Sequence, residues 1–323
     1  MMPLPKRVQD FFPIEINEFV SSKQLDLELY LCVDEKFIKI VHSGEELDQS
    51  RIEKYRQKEA HYLYVTRADY EKYLAFHLKL ASAVAKTNAV PEEKRLQLVR
   101  HANDIILQQI FREGMDEKAF TYARAITEIN LSMLAKRQDL FAALEVLTAS
   151  GDFLFAHALG VSVYSTMLAP ALNCGSASVV TKIGLGAMLH DLGLKDVPYE
   201  LLERPVESYT EEEAQIYRQH PLQGLQMLQS IEGVPHEVLV IVAQHHEYRD
   251  GSGFPAGMAG AQVSPLAKMI GVADEFCEMI LKYPGRDLLN PKEAITSLMS
   301  SRTHVLDSRI VETLGRVLGV RTK

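Results

Sequence analysis

The stretch VLVIVAQHHEYRDGSGFP, residues 238–255, sets the reading of this chain. It opens as an apolar helix, ends that helix on two adjacent histidines, and runs into a glycine-rich, proline-ended loop. Upstream, IGLGAMLHD at residues 183–191 ends a second apolar helix in the same manner, on His190-Asp191. Of the 11 histidines in the chain, seven follow residue 150. Imidazole and carboxylate gathered at the ends of apolar helices suggest a metal site on a helical scaffold.

Working outward, helix signals dominate the C-terminal part. Thr210 and Glu213 form a capping box, and Pro235 and Pro265 each open an apolar helical run, the second after the N-cap Ser264. Asn290-Pro291 and Asp307 start two more helices, so residues 149–323 read as an all-α domain. Before it, Pro91 at N1 with Glu92 and Glu93 opens a long helix that stops at Gly114. A second starts at the N-cap Asp116 and runs towards Ala149, where Gly151 ends it. Residues 89–148 are thus expected as connector helices; they could also form a dimer surface, or be the first helices of the bundle.

Residues 25–42 alternate apolar and polar side chains on either side of Asp34-Glu35, which predicts two strands and a tight turn. A short helix over 48–58, a strand at 61–65 and a helix from Thr66 through Tyr70, Tyr73, Leu74, His77, Leu78 and Ala81 complete a small α/β domain, residues 1–88. Its expected role is regulatory or sensor-like, its tyrosines read as packing, and residues 1–24 read as an arm. The expected fold is therefore mostly α.

The bulk numbers restrict the function. With 323 residues, 47% hydrophobic and 24% charged, the chain can build two domains with an ordinary core. A net charge of −8 and a pI near 5.8 argue against wrapping a nucleic-acid duplex, while a local basic pocket could still hold a small phosphate ligand. Cys32, Cys174 and Cys277 are odd in number and widely separated, which favours a reducing compartment over a disulfide framework. The N-terminus MMPLPKRVQD has no apolar signal core, and apolar runs such as Val238–Ala243 are too short for a bilayer, so a cytoplasmic protein is expected.

Each polar candidate also has a plain structural reading. His157 in FLFAHALGV suits a core or capping histidine, His220 before Pro221 a helix start, and His236 and His304 the surface. Asp274 in KMIGVADEFCEMI is harder to dismiss, because a carboxylate in an apolar helix is unfavourable by several kcal/mol unless paired or coordinated. Neighbouring helix residues point about 100° apart, so His245 and His246 serve two ions side by side better than one. Imidazoles with two carboxylates and no thiolate suit a dinuclear iron, manganese or zinc site. There one aspartate bridges, and a shared water becomes hydroxide near neutral pH, able to attack phosphorus.

His190-Asp191, His245-His246 and the DGSGFP loop resemble the HD-GYP family of HD metal-dependent phosphohydrolases, over residues 150–320. The resemblance implies an HD-type helical bundle and a metal-dependent phosphodiesterase that hydrolyses cyclic di-GMP to pGpG or GMP. It implies His157, His190, Asp191, His220, His245, His246 and Asp274 as metal ligands, with Asp191 bridging. Three-metal members carry a glutamate one turn before the first histidine; here that place is Phe153, so two divalent ions are expected, iron first, with manganese or zinc as alternatives.

The departures bear on turnover. The GYP tyrosine is Phe254, the HDxGK lysine is Leu194, and the segments after the last aspartate read CEMIL at 277–281 and YPGR at 283–286. An arginine often found before that aspartate is Lys268, which keeps charge without the bidentate fork. Losing one hydrogen bond to a charged phosphate is worth about 1.5–3 kcal/mol, so weakened activity is expected. Asp191 and Lys268 are the expected catalytic residues, and Arg249, Asp250, Gly251, Gly253, Phe254 and Lys268 the expected substrate contacts. The alternative is an impaired cyclic di-GMP sensor or adaptor that keeps its metals. The family implies a diguanylate cyclase as a partner through this loop. An HD phosphohydrolase of another nucleotide is a third reading, disfavoured by the loop.

Overall fold

The computed structural model describes residues 11–16, 19, 26–134, 145–149, 152–281 and 287–320. The expected arm, the far end of the second long helix and the 283–286 segment fall wholly or mainly outside these residues. The chain divides into two compact units, Met1–Leu80 and Ala81–Lys323.

The first unit holds strands β1 (Phe11–Glu15), β2 (Leu29–Val33), β3 (Lys36–Val41) and β4 (Tyr62–Thr66), with α1 (Gln49–Arg56) before β4 and most of α2 (Arg67–Ala85), which starts directly after it. The antiparallel sheet runs β1-β4-β2-β3. Asp34 and Glu35 both take positive φ, 48° and 60°, as a two-residue hairpin twisted to match its strands requires. Residues 11–15, expected within an arm, are instead an edge strand. An edge tolerates Pro13, whose nitrogen has no hydrogen to give a neighbour. Phe12 and Ile14 share a buried face with Val65 and Leu63, and the Phe12 ring stacks on Tyr70 of α2 at 4.9 Å. Tyr64, Tyr70 and Tyr73 are buried packing residues.

The second unit is helical: α3 (Glu92–Glu113), α4 (Glu117–Leu134), α5 (Phe153–Ala171), α6 (Ala177–Leu189), the single turn α7 (Tyr199–Leu202), α8 (Glu211–Arg218), α9 (His220–Gln229), α10 (His236–Gln244), α11 (Pro265–Ile280), α12 (Pro291–Ser301) and α13 (Ser308–Val317). The helices expected as connectors lie in this same unit, where α3 and α4 pack on each other and α4 on α6. Buried Asn103 and Asn130 exchange amide hydrogen bonds of 3.0 and 2.8 Å between α3 and α4, a reciprocal pair that fixes their register. The capping residues act as expected: Thr210 and Glu213 satisfy each other's backbone N–H, and Asp116, Ser264, Asn290 and Asp307 each accept one from the first turn they cap.

Helix α5 is apolar on all sides and, at 19 residues, long and apolar enough by composition to cross a bilayer, contrary to the expectation that every apolar run is too short. Its surface is instead mostly buried, packed against α6 and α11, as for a core helix. It carries His157 and packs on the two helices that bring His190 and Asp274.

Candidate metal centre

Three helix ends and two helix interiors supply the site. Asp152 caps α5, accepting the Leu154 N–H at 2.9 Å, which places His157 about one turn in, buried. His190 caps α6, and Asp191 begins the 3-10 turn that follows, residues 192–196. His220 opens α9, and His245 and His246 follow the last turn of α10. Asp274 lies on the buried face of α11. The 3-10 turn can lie directly on the start of α9 because residue 193 is glycine; a Cβ there would stand 1.9 Å from the His220 carbonyl oxygen.

These seven side chains, all expected from the sequence, are buried and converge in two groups whose ligand atoms lie within 4.8 Å of one another. One group is Asp191, His220, His245 and His246; the other is His157, His190 and Asp274. Asp191 faces both. Its Oδ1 lies 3.3 Å from His220 Nε2 and 3.6 Å from His245 Nε2, while Oδ2 lies 3.3 Å from His190 Nε2 and 3.7 Å from His157 Nε2. Asp274 Oδ1 lies 2.9 Å from His157 Nε2, and its Oδ2 lies 3.8 Å from His246 Nδ1.

The backbone sets the tautomers. His190, His220 and His245 each approach, through Nδ1, the carbonyl oxygen three residues earlier, on Ala187, Tyr217 and Val242, at 2.7, 2.8 and 2.9 Å. A carbonyl only accepts, so each Nδ1 carries a hydrogen and each Nε2 faces inward, with a lone pair to offer whenever the ring is neutral. His220 Nε2 and His245 Nε2 meet at 3.1 Å, an approach of lone pairs that needs a cation or a proton between them. His190 Nε2, Asp191 Oδ1 and His246 Nε2 are buried without a hydrogen-bond partner among the described residues. Buried nitrogen and oxygen atoms left without a partner in this way fit ligands of divalent metal ions.

The electrostatics agree. Burial opposes ionisation of Asp191 and Asp274, yet the surrounding imidazoles, His190 foremost for Asp191 and His157 for Asp274, hold both carboxyls well below their usual range. Burial likewise disfavours a charged His190, but Asp191 and Asp274 raise its pKa well above the ordinary value. His245 and His246, also buried, are lowered and stay neutral. The pocket therefore presents two carboxylates and draws positive charge.

The residues expected at the substrate are more dispersed. The half-buried Phe254 lies against the imidazoles, its ring 4.5 Å from that of His246 and 6.1 Å from that of His220. Lys268 donates from Nζ to the Gly260 carbonyl at 2.6 Å, and stands six residues before Asp274 on α11, roughly 120° around the helix. Arg249 is exposed, with its backbone N–H on the Val305 carbonyl; with Lys268 it lines a small cavity beside Tyr248 and Asp307. Asp250 Oδ1 accepts the N–H and hydroxyl of Ser252, and Gly251 takes φ 82°. Leu194 is buried in an apolar cluster with Val197, Leu201, Leu202 and Tyr217, on which Phe153 and Phe254 also pack. Glu247 goes unnoticed in the sequence reading although it sits inside the quoted motif; it is 5% exposed and bound to the following loop.

A family model described as HD domain matches residues 127–310. A cyclic di-GMP phosphodiesterase of Pseudomonas aeruginosa, PA4108, is 29% identical over 214 residues, which is 65% of this chain and 51% of that protein. The cyclic di-GMP phosphodiesterase response regulator RpfG of Xanthomonas campestris pv. campestris is 31% identical over 142 residues, 44% of this chain and 37% of its own length. The chain thus spans about half or less of the length of these relatives. Among solved structures, Bd1817, an HDG"Y"P protein from Bdellovibrio bacteriovorus, matches with a TM-score of 0.71 at 20% identity, covering 96% of this chain and 100% of that one, a likeness of fold.

Proposed function

Because the chain belongs to the HD domain family, with motifs of the HD-GYP type, we propose that it is a metal-dependent phosphodiesterase acting on cyclic di-GMP or a related dinucleotide. The observation that carries this reading is the division of Asp191: one oxygen faces His220 and His245, the other His190 and His157. A carboxylate placed so would be shared by both halves of a two-ion site. His157, His190 and Asp274 would complete one half, and His220, His245 and His246 the other. When bound, two divalent ions supply Lewis acidity for the phosphate oxygens and acidify a shared water for the hydrolysis expected from the sequence. The chain's own part is to fix the imidazole tautomers through three backbone carbonyls and to exclude solvent by burial.

Phe153, packed on the apolar cluster, offers no ligand where a third ion would need one, which supports two ions. Iron is the first expectation, with manganese or zinc as alternatives. The dinucleotide comes from what the relatives' names say of those proteins. The test is to load the purified chain with ferrous iron or manganese, add cyclic di-GMP, and separate the products. We expect pGpG or GMP from the wild type and none from His190→Ala. A metal-loaded wild type that yields no product contradicts the hydrolase reading.

A second reading has its own support. Leu194 and Phe254 join one apolar cluster, so this side of the centre offers neither the cation nor the hydroxyl of the family pattern. Such a wall suits a catalytically weak sensor or adaptor that keeps the metal site. Binding of cyclic di-GMP without product would favour it.

A further inference from the structure

The loop after the paired histidines is fastened by one side chain. Glu247 follows His246, and its buried carboxylate accepts the Ala256 N–H through Oε1 and the Met258 N–H through Oε2, both at 2.7 Å. Alongside, the Phe254 N–H donates to the His246 carbonyl at 3.0 Å. The loop passes so close to the 246–248 backbone that a Cβ on Gly253 would stand 2.3 Å from His246 O and 2.4 Å from Tyr248 N. The result is the Phe254 ring 4.5 Å from His246, tilted by 30°, and 6.2 Å from Tyr217. Both bonds to Glu247 are charge-assisted, and both of its oxygens are needed; an amide in its place keeps one acceptor and turns an N–H towards the other donor.

We propose that Glu247 is a positioning residue that holds the 250–258 loop closed on the metal centre, so that Phe254 is set against His246 before substrate arrives. Its catalytic consequence rests on the phosphodiesterase reading above; its structural consequence does not. The carboxylate acts on the loop, and the loop places the ring.

The experiment compares the wild-type chain with Glu247→Gln, both loaded with manganese. Three quantities are read: deuterium exchange of the 250–258 amides without substrate, manganese content, and kcat and KM with cyclic di-GMP. We expect exchange at Ala256 and Met258 to rise about tenfold and KM to rise about tenfold, with manganese content and kcat changed by less than about twofold. Glu247→Asp, which keeps the charge but falls short of both donors, should show the same pattern. Unchanged exchange in both variants overturns the proposal, as does loss of manganese with the loop still protected, which would make Glu247 a support for His246 alone. Should the variants unfold, Phe254→Leu decides: it must raise KM with the 250–258 amides still protected, and an unaltered KM overturns the proposal. If no dinucleotide is turned over, the phosphodiesterase reading fails separately, and exchange with metal content still decides the clamp.

Discussion

Single atoms decide the chemistry available to this site. Three imidazoles give Nδ1–H to backbone carbonyls, which leaves each Nε2 facing inward to hold a metal or, at His190 beside two carboxylates, a proton. The linkage of protons to folding follows in sign. With metal removed by chelator, His245 and His246 have folded pKa values below the ordinary 6.5. As pH falls through that value the unfolded chain takes up protons that these two refuse. His190, raised, is already protonated when folded; it opposes this slope near the unfolded value of 6.5 and adds none well below it, so the two lowered histidines outweigh it. The denaturation midpoint of the chelated protein should therefore fall as pH is lowered from about 6.5 to about 5. A midpoint that is flat or rises over that range would contradict the buried, neutral assignment. The departure at Phe254 belongs to this scale too. If the missing hydroxyl weakens turnover, Phe254→Tyr should raise kcat/KM about tenfold with cyclic di-GMP, and no gain would detach the ring edge from the reaction.

Among the elements, the helices are legible in the sequence because caps are local. Ser264, Asn290 and Asp307 announce α11, α12 and α13 within a few residues, and the structure shows their side chains on the backbone N–H groups of those helices. β1 is not legible, because Pro13 argues against a strand until its partner, Tyr62–Thr66, is known and leaves it at an edge. Of the seven clustered residues, His190-Asp191 and His245-His246 stand out at the ends of apolar helices and Asp274 as a carboxylate in an apolar helix, whereas His157 and His220 are legible only through the family resemblance. The fastening by Glu247 is not, because the acceptor's partners are backbone amides that no residue type advertises. Nor is the triad beside it. Arg302, at the end of α12, donates from Nε to Glu275 Oε2 at 2.7 Å and from a terminal nitrogen to the Tyr248 hydroxyl at 2.8 Å; that hydroxyl donates to Glu275 Oε1 at 2.9 Å. Glu275 adjoins Asp274 and Tyr248 lies two residues after His246, so the triad ties α12 to both halves of the cluster. Arg302 is about a third exposed, which discounts the charge term, and Arg302→Met should lower unfolding free energy by about 2 kcal/mol in urea titration. A loss under about 0.5 kcal/mol would show the triad to be ornamental.

At the scale of the molecule, a small sheet unit and a larger helical unit share one chain, and the HD domain match lies wholly within the second. Helix α5 packs on α6 and α11, so the end of α6 with His190 and the buried face of α11 with Asp274 meet beside His157. That convergence holds two ionised carboxylates in a buried setting, which is stable only with cationic partners. The most direct test is the metal content of the full chain, reconstituted with ferrous iron under anaerobic conditions and measured by plasma mass spectrometry. Two ions per wild-type chain, falling below one in Asp191→Asn, is the predicted result. A wild type holding none, one or three ions, or an Asp191→Asn variant that keeps both, would contradict the bridge.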